Sequence, residues 1–189
     1  MRAIATVNVM ALCLLLVAAC GDGKEGPIDL TAIQSGIYNT SAVISSTCTY
    51  AQPGTGPSSF DSVQGGVFVD TNANSIRLPF RYSGTFSSTN MLDLAEAQGY
   101  VFTAEHTAGC GLTSKMTYTL KSASGSEIQA TGERSWTNVT SPCDVTPLPD
   151  SDCNDTTTFS YSLTTSCEAP CTVIESAVAD PPQFDCQCN

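Results

Sequence analysis

From Gly36 onward the apolar residues of this chain recur at every second position, a period that suits a half-buried β-strand and not an amphipathic helix. The clearest run is residues 75–82, Ser-Ile-Arg-Leu-Pro-Phe-Arg-Tyr. Its Ile76, Leu78, Phe80 and Tyr82 share one face, while Arg77, Pro79 and Arg81 point the other way. Leu112, Ser114, Met116, Tyr118 and Leu120 alternate with Thr113, Lys115, Thr117, Thr119 and Lys121 in the same manner, and Thr157, Phe159, Tyr161 and Leu163 repeat it. Residues 36–46, 62–70, 99–107 and 126–137 are less regular strands. Met91-Leu-Asp-Leu94 ends an eighth strand or makes a helical turn with Ala95-Glu96-Ala97. Pro79 has no N–H for a ladder, so its strand is expected at a sheet edge or a bulge.

The links between these runs are short, and parallel strands would need crossovers of about a dozen residues or more. An antiparallel meander follows. Seven or eight strands with one apolar face each close into an up-and-down barrel or fold as a sandwich, and hairpin-length links favour the barrel. Ile76, Leu78, Phe80, Leu112, Met116, Tyr118, Leu120, Phe159, Tyr161 and Leu163 are then expected to line one interior. The opening Gly36-Ile37-Tyr38, the meander of hairpins and the late Cys167 resemble the lipocalin-like barrels, from Gly36 to Cys167. Tyr38 stands where the lipocalin Gly-x-Trp has its Trp, and the single tryptophan, Trp136, falls late in the chain. The resemblance implies a cup for a small apolar ligand, although small barrels are often filled by their own side chains.

The first residues have a separate character. Met1 and Arg2 precede Val9-Met-Ala-Leu-Cys-Leu-Leu-Leu-Val-Ala-Ala19, an uncharged apolar run. It is short of the roughly 20 residues that span a bilayer as a helix, and suits the core of a signal peptide, residues 1–19. Val17-Ala18-Ala19-Cys20-Gly21 resembles the lipobox of bacterial lipoproteins, which implies cleavage before Cys20 and acylation of its thiol and new amino group, with palmitate among the chains such anchors carry. Gly21 in place of Asp lacks the inner-membrane retention signal known from enteric lipoproteins, so the expected location is the cell envelope, at the outer membrane. Gly21-Asp-Gly-Lys-Glu-Gly-Pro27 reads as a flexible tether, and residues 20–35 as the link from lipid to an antiparallel β domain at 36–166.

Cysteine usage agrees with export. Of ten cysteines, Cys13 leaves with the signal peptide and Cys20 is taken by lipid. The remaining eight, Cys48, Cys110, Cys143, Cys153, Cys167, Cys171, Cys186 and Cys188, are even in number, as full pairing in an oxidising compartment requires. The connectivity stays open, with one local bridge, Cys143–Cys153, expected to clasp a Pro- and Asp-rich loop. A zinc site on Cys167-x-x-x-Cys171 and Cys186-x-Cys188 is the rival, without a histidine to join it. Residues 167–189 read as a Cys- and Pro-rich tail with too little apolar periodicity to order itself by packing alone.

The chain carries a formal charge of −11, and cleavage removes one more basic residue, Arg2. So acidic a surface disfavours nucleic acid and anionic headgroups as partners. Catalytic signals are sparse. The single histidine, His106, shares a strand face with Tyr100, Phe102 and Ala104, opposite Glu105, which reads as a core or rim residue more readily than a general base. No serine sits in Gly-x-Ser-x-Gly or Ser-x-x-Lys, and there is no phosphate loop or His-Glu-x-x-His. Arg134 falls on the face of Ile128, Ala130 and Trp136, where it needs a carboxylate, backbone carbonyls or the indole face, unless the strand end carries it to solvent. Asp150, Asp152, Asn154 and Asp155 resemble the start of a calcium loop, although Asp155 stands where an EF-hand has Gly and Tyr161 where it has Glu. Asn138-Val-Thr140 matches a glycosylation acceptor, an accidental match in a bacterial lipoprotein. The sequence reads as a non-enzymatic, membrane-anchored binding or interaction module without a cofactor; a carrier of a small apolar ligand is the alternative. Its protein or small-ligand partner and its ligand-binding residues are not legible. Alkylation of the denatured, unreduced mature protein should label no thiol; two or more reactive cysteines, or stoichiometric zinc, would overturn the paired reading.

Overall fold

The computed structural model describes residues 28–50, 60–80, 91–140, 142–143, 148–176 and 183–188. The expected all-β meander is present. Eight antiparallel strands, β1 (Gly36–Ser46), β2 (Phe60–Asp70), β3 (Ser75–Pro79), β4 (Met91–Ala95), β5 (Val101–Thr107), β6 (Thr113–Ser124), β7 (Glu127–Thr137) and β8 (Cys153–Ser166), form one sheet. Its order is β4-β3-β2-β1-β8-β7-β6-β5, so the sheet curls into a nearly closed barrel with its seam between β4 and β5. The first and last strands pair along the whole of β1, from Gly36↔Ser166 to Ser46↔Asp155. Tight turns connect the strands at one end. The Asp70 carboxylate accepts the N–H groups of Asn72 and Ala73 between β2 and β3. Gly99 and Tyr100, at φ 64° and 56°, carry the chain from a 3-10 turn at Glu96–Gln98 into β5. Of the two alternatives for Met91–Leu94 the structure takes the strand, and the helical turn begins only after it, at Glu96.

This end is closed. Asp29 caps a 3-10 turn at Leu30–Ala32, and Leu30 and Ile33 enter the core beneath it, with Ile33 bridged to Gly125. Residues 28–35 therefore belong to the barrel and not to a tether, because their two apolar side chains plug its end. The signal peptide 1–19, Cys20 and residues 20–27 lie outside the described residues.

Alternation carries Ile76, Leu78, Phe80, Met116, Tyr118, Leu120, Phe159 and Tyr161 inward, where they meet Tyr38, Val67, Leu94 and Ile128 in one core. Tyr38, Tyr118 and Tyr161 are fully buried. The Tyr118 hydroxyl donates to Tyr161, whose own hydroxyl donates to the Pro79 carbonyl at 2.6 Å, and Tyr38 donates to the Gln34 carbonyl at 2.8 Å. Buried phenols need such partners, and burial raises the pKa of all three above the usual phenol value. Leu163 is partly buried against this core, and Leu112 departs from expectation. It joins Trp136 and Cys153 in a separate cluster under the loops of the opposite end.

One expectation about strands is corrected. The strand of Pro79 is no edge: β3 lies between β2 and β4. Proline is tolerated there because it is the last residue of β3 and lies past the last β2–β3 pair, Phe68↔Arg77, with its ring against Gly65. A Cβ at Gly65 would sit 2.6 Å from Pro79 Cγ, so only glycine lets that ring in. Arg81 and Tyr82 lie outside the described residues. The tail is a hairpin, β9 (Cys171–Ser176) and β10 (Gln183–Cys188), laid on the outer face of the barrel. Val173 and Phe184 bury against Ile37, with Phe68 packed alongside, and both side chains crowd Gly66, whose missing side chain makes room for them.

The eight cysteines pair as Cys48–Cys153, Cys110–Cys143, Cys167–Cys186 and Cys171–Cys188. The local Cys143–Cys153 bridge is not formed. Cys153 opens β8 beside the strand that leads to Cys48, so pairing across the sheet outcompetes pairing along the chain. The cysteines proposed for zinc are instead taken up in the two bridges that tie the hairpin to itself and to the end of β8.

Replacing Phe159, 2 % exposed between Tyr118 and Tyr161, by Ala should lower stability by about 3–5 kcal/mol in urea titrations. Thr117→Ala, on the outer face of β6, should change it by under about 0.5 kcal/mol. Equal losses would mean a sheet buried on both faces and not a barrel wall.

Candidate functional site

The long connections gather at the end opposite the plug, and the inner face changes chemistry there. Below lies the aromatic core; above it β7 and β8 bring Arg134 and Asp155 to directly opposed positions in the ladder. Both point inward, since Arg134 follows Ile128, Ala130 and Gly132 at every second position and Asp155 precedes Thr157, Phe159 and Tyr161. Arg134 Nη2 and Nε donate to Asp155 Oδ2 at 2.6 and 3.1 Å. The guanidinium lies 4.7 Å from the centre of the Trp136 ring, which stabilises a cation shielded from water.

The other polar groups of this layer come from the end of β1 and its exit. Ser46 donates its hydroxyl to Asp155 Oδ1, and Tyr50 donates to Oδ2 at 3.1 Å. Trp136 Nε1 makes a longer 3.4 Å contact with Oδ2. Asp155 is 4 % exposed by side chain and Arg134 16 %, so the pair is largely out of water. Burial alone would raise the Asp155 pKa; the bonds from Ser46, Arg134 and Tyr50 outweigh it and leave the carboxyl below its ordinary value of 3.8. Near Asp155, burial is also the main cause that raises the Tyr50 phenol to about 12. Both oxygens of Asp155 are engaged, so the group is a poor proton acceptor and a poor metal ligand. It clamps β1, β7 and β8 together at the open end.

The need Arg134 had for a partner is thus met by a carboxylate and an indole face together. The calcium reading of Asp150, Asp152, Asn154 and Asp155 is corrected. Strand alternation turns Asp155 inward to Arg134 and Asn154 outward, while the Asp152 carboxylate accepts the Val139 N–H and Asp150 is exposed. These oxygens do not converge, and no group of three acidic, histidine or cysteine residues fit for a metal occurs among the described residues. His106 lies on the inner-facing side of β5, paired with Ser114 in the ladder, and is exposed. Ser46 and Tyr50 had no sequence signal, because nothing local to them says which strand they will adjoin.

Above the clamp, Leu112, Trp136 and Cys153 form a small core with Cys48, Val139, Cys143 and Leu148 packed against it. Beside it Ala108, Gly109, Cys110, Pro142 and Cys143 line a surface recess of about 290 Å³. Among the described residues its lining carries no ionisable side chain. No family model, no curated protein and no solved structure matches this chain.

Removing one member of the buried pair leaves the other uncompensated. Asp155→Ala should therefore cost about 3–5 kcal/mol. Because the folded pKa is depressed, this contribution is complete above the unfolded value near 3.8 and is lost as pH falls through the folded pKa. The stability gap between wild type and Asp155→Ala should be constant near neutral pH and shrink below about pH 4 in denaturation curves. A gap that does not change with pH would mean that packing alone makes the difference.

Proposed function

We propose that this protein is a lipoprotein of the bacterial cell envelope, anchored through acylated Cys20 and most compatible with the outer membrane, whose barrel is a non-enzymatic binding or interaction module. The observation that carries this reading is the occupied interior. Tyr38, Tyr118, Tyr161, Ile76, Leu78, Leu94 and Ile128 fill the barrel and are each under 2 % exposed. A carrier of the lipocalin-like kind needs that space for its ligand, so the filled core favours work done on the outer surface. The engaged oxygens of Asp155 and the exposed position of His106 likewise favour a module without catalysis.

An anchor at Cys20 also gives the barrel a direction. The eight residues 20–27 reach at most about 29 Å when fully extended. They join the barrel at Ile28, beside the plugged end, so the open end with its loops and disulfides would face away from the bilayer. The strong negative charge disfavours lying flat on anionic headgroups, which leaves the lipid as the means of attachment.

Cys20→Ser should move the protein from the detergent-extracted membrane fraction to the soluble one, and mass spectrometry of the wild type should find acyl chains on the N-terminal cysteine. An unmodified Cys20 would sink the anchor. A fluorescent fatty-acid probe should show no saturable binding to the mature protein; stoichiometric uptake would favour the carrier.

A further inference from the structure

Among the described residues the barrel does not close. β4 and β5 are the two ends of the sheet, joined by the turn through Gly99 and Tyr100, and no ladder forms between them. On its other side β5 is fully paired, with Phe102↔Tyr118, Ala104↔Met116 and His106↔Ser114. The Leu120 N–H donates to the Tyr100 carbonyl at 3.1 Å, which fixes the phase of this ladder. Phe102, Ala104 and His106 aim their backbone groups at β6, whereas Val101, Thr103, Glu105 and Thr107 aim theirs at the seam. Among the described residues, no strand accepts them.

Burial gives an independent sign of the same gap. Met116 and Ser114, on β6, are 9 % and 8 % exposed, yet their partners Ala104 and His106, which face the same side, are exposed. An inward-pointing residue is exposed only where the wall beside it is missing. β5 also lacks the lysines and prolines that commonly blunt free edges. Glu105 on one lip of the seam and Asp93 on the other are both exposed acids. Each has a cation on the adjoining strand, Lys115 and Arg77, so the bias toward a cationic guest comes from the charge of −11 on the whole chain.

We propose that the free edge of β5, from Thr103 to Thr107, is a strand-addition site for an extended, basic polypeptide segment. Backbone groups of Thr103, Glu105 and Thr107 supply the ladder, small side chains of the guest turn in beside Ala104 and His106, and its cationic side chains turn out between Glu105 and Asp93. A second copy of this chain is the less favoured guest, because two molecules of charge −11 repel one another. This names the partner class of the interaction module, and rests on that reading only in assigning work to the outside of the barrel.

The test is a fluorescence-anisotropy titration of the full mature chain with a labelled peptide of alternating Lys and Val, at low and at physiological salt. Saturable binding that weakens with salt is expected. Thr103→Pro removes one seam-facing N–H without touching the β6 ladder, and an edge strand tolerates it. It should weaken binding by up to about tenfold, the scale of a lost backbone bond. Thr107→Pro, at the strand end, is the second variant should Thr103→Pro fail to fold, and Glu105→Lys should weaken binding about threefold through charge. No binding by the wild type, or binding unchanged by either proline, overturns the proposal. Equal binding of a Glu-Val peptide overturns the basic partner, and a wild-type dimer in sedimentation that Thr103→Pro dissociates replaces it with a second copy. Uptake of the fatty-acid probe alongside proline-sensitive peptide binding would overturn the filled-interior reading while leaving this one standing.

Discussion

The pairing of β1 with β8 is the constraint on which the rest depends. It joins strands more than a hundred positions apart and turns a meander into a curved wall with an inside. Without it, the apolar faces of β1 to β4 and of β5 to β8 would be two half-sheets with no common core. The pairing is held at both ends by different means. At the closed end the Cys167 N–H donates to the Ser35 carbonyl at 2.8 Å, and at the open end Cys48–Cys153 and the Ser46–Asp155 bond tie the strands where the loops begin. A cross-link between such distant positions removes much unfolded-state freedom, a contribution of about 2–5 kcal/mol in small exported domains.

Along the barrel axis the interior passes from apolar to polar in register with the strands. Leu30 and Ile33 stop one end, the tyrosines and Phe159 fill the middle, and the Arg134–Asp155 pair tops it. The order matters energetically. A buried ion pair is weak evidence for stability in itself, since desolvation offsets much of its attraction, but this one lies where β1, β7 and β8 must stay in register. A slip of one residue in β8 would turn Asp155 outward and leave Arg134 unpaired beside Trp136. The pair acts as a register lock as much as a source of stability.

The outside of the barrel is treated unevenly. The hairpin of β9 and β10 lies on β1 and β2, buries Val173 and Phe184, and is fixed by two disulfides. The seam at β5 has no such cover among the described residues. The acidic surface supplies the general protection against association, through like-charge repulsion between copies.

Much of the architecture was written in local pattern. The period of two marked seven strands and left an eighth open, and Ile76, Leu78, Tyr118 and Phe159 were assignable to the interior because a pleat sends alternate side chains to opposite faces. The position of Arg134 on an apolar face called for a buried partner unless the strand end carried it to solvent, and only the structure decided between the two. What only the tertiary structure decided were relations between strands. Asp155 was legible as one of three acids in a row with Asn154, and became the partner of Arg134 only when β7 and β8 paired with those positions opposed. Cys153 lay nearer in sequence to Cys143 than to Cys48, yet the ladder brought Cys48 to it. Pro79 was read as an edge or a bulge because its own strand shows only the missing N–H, not that the neighbouring ladder stops before reaching it. The tail lacked periodicity of its own, and ordered itself against Gly66 and Ile37, residues far off in the chain. Local sequence fixes which face a side chain takes, since that depends on one strand's geometry; which partner meets it depends on register between distant strands, which the whole core sets at once.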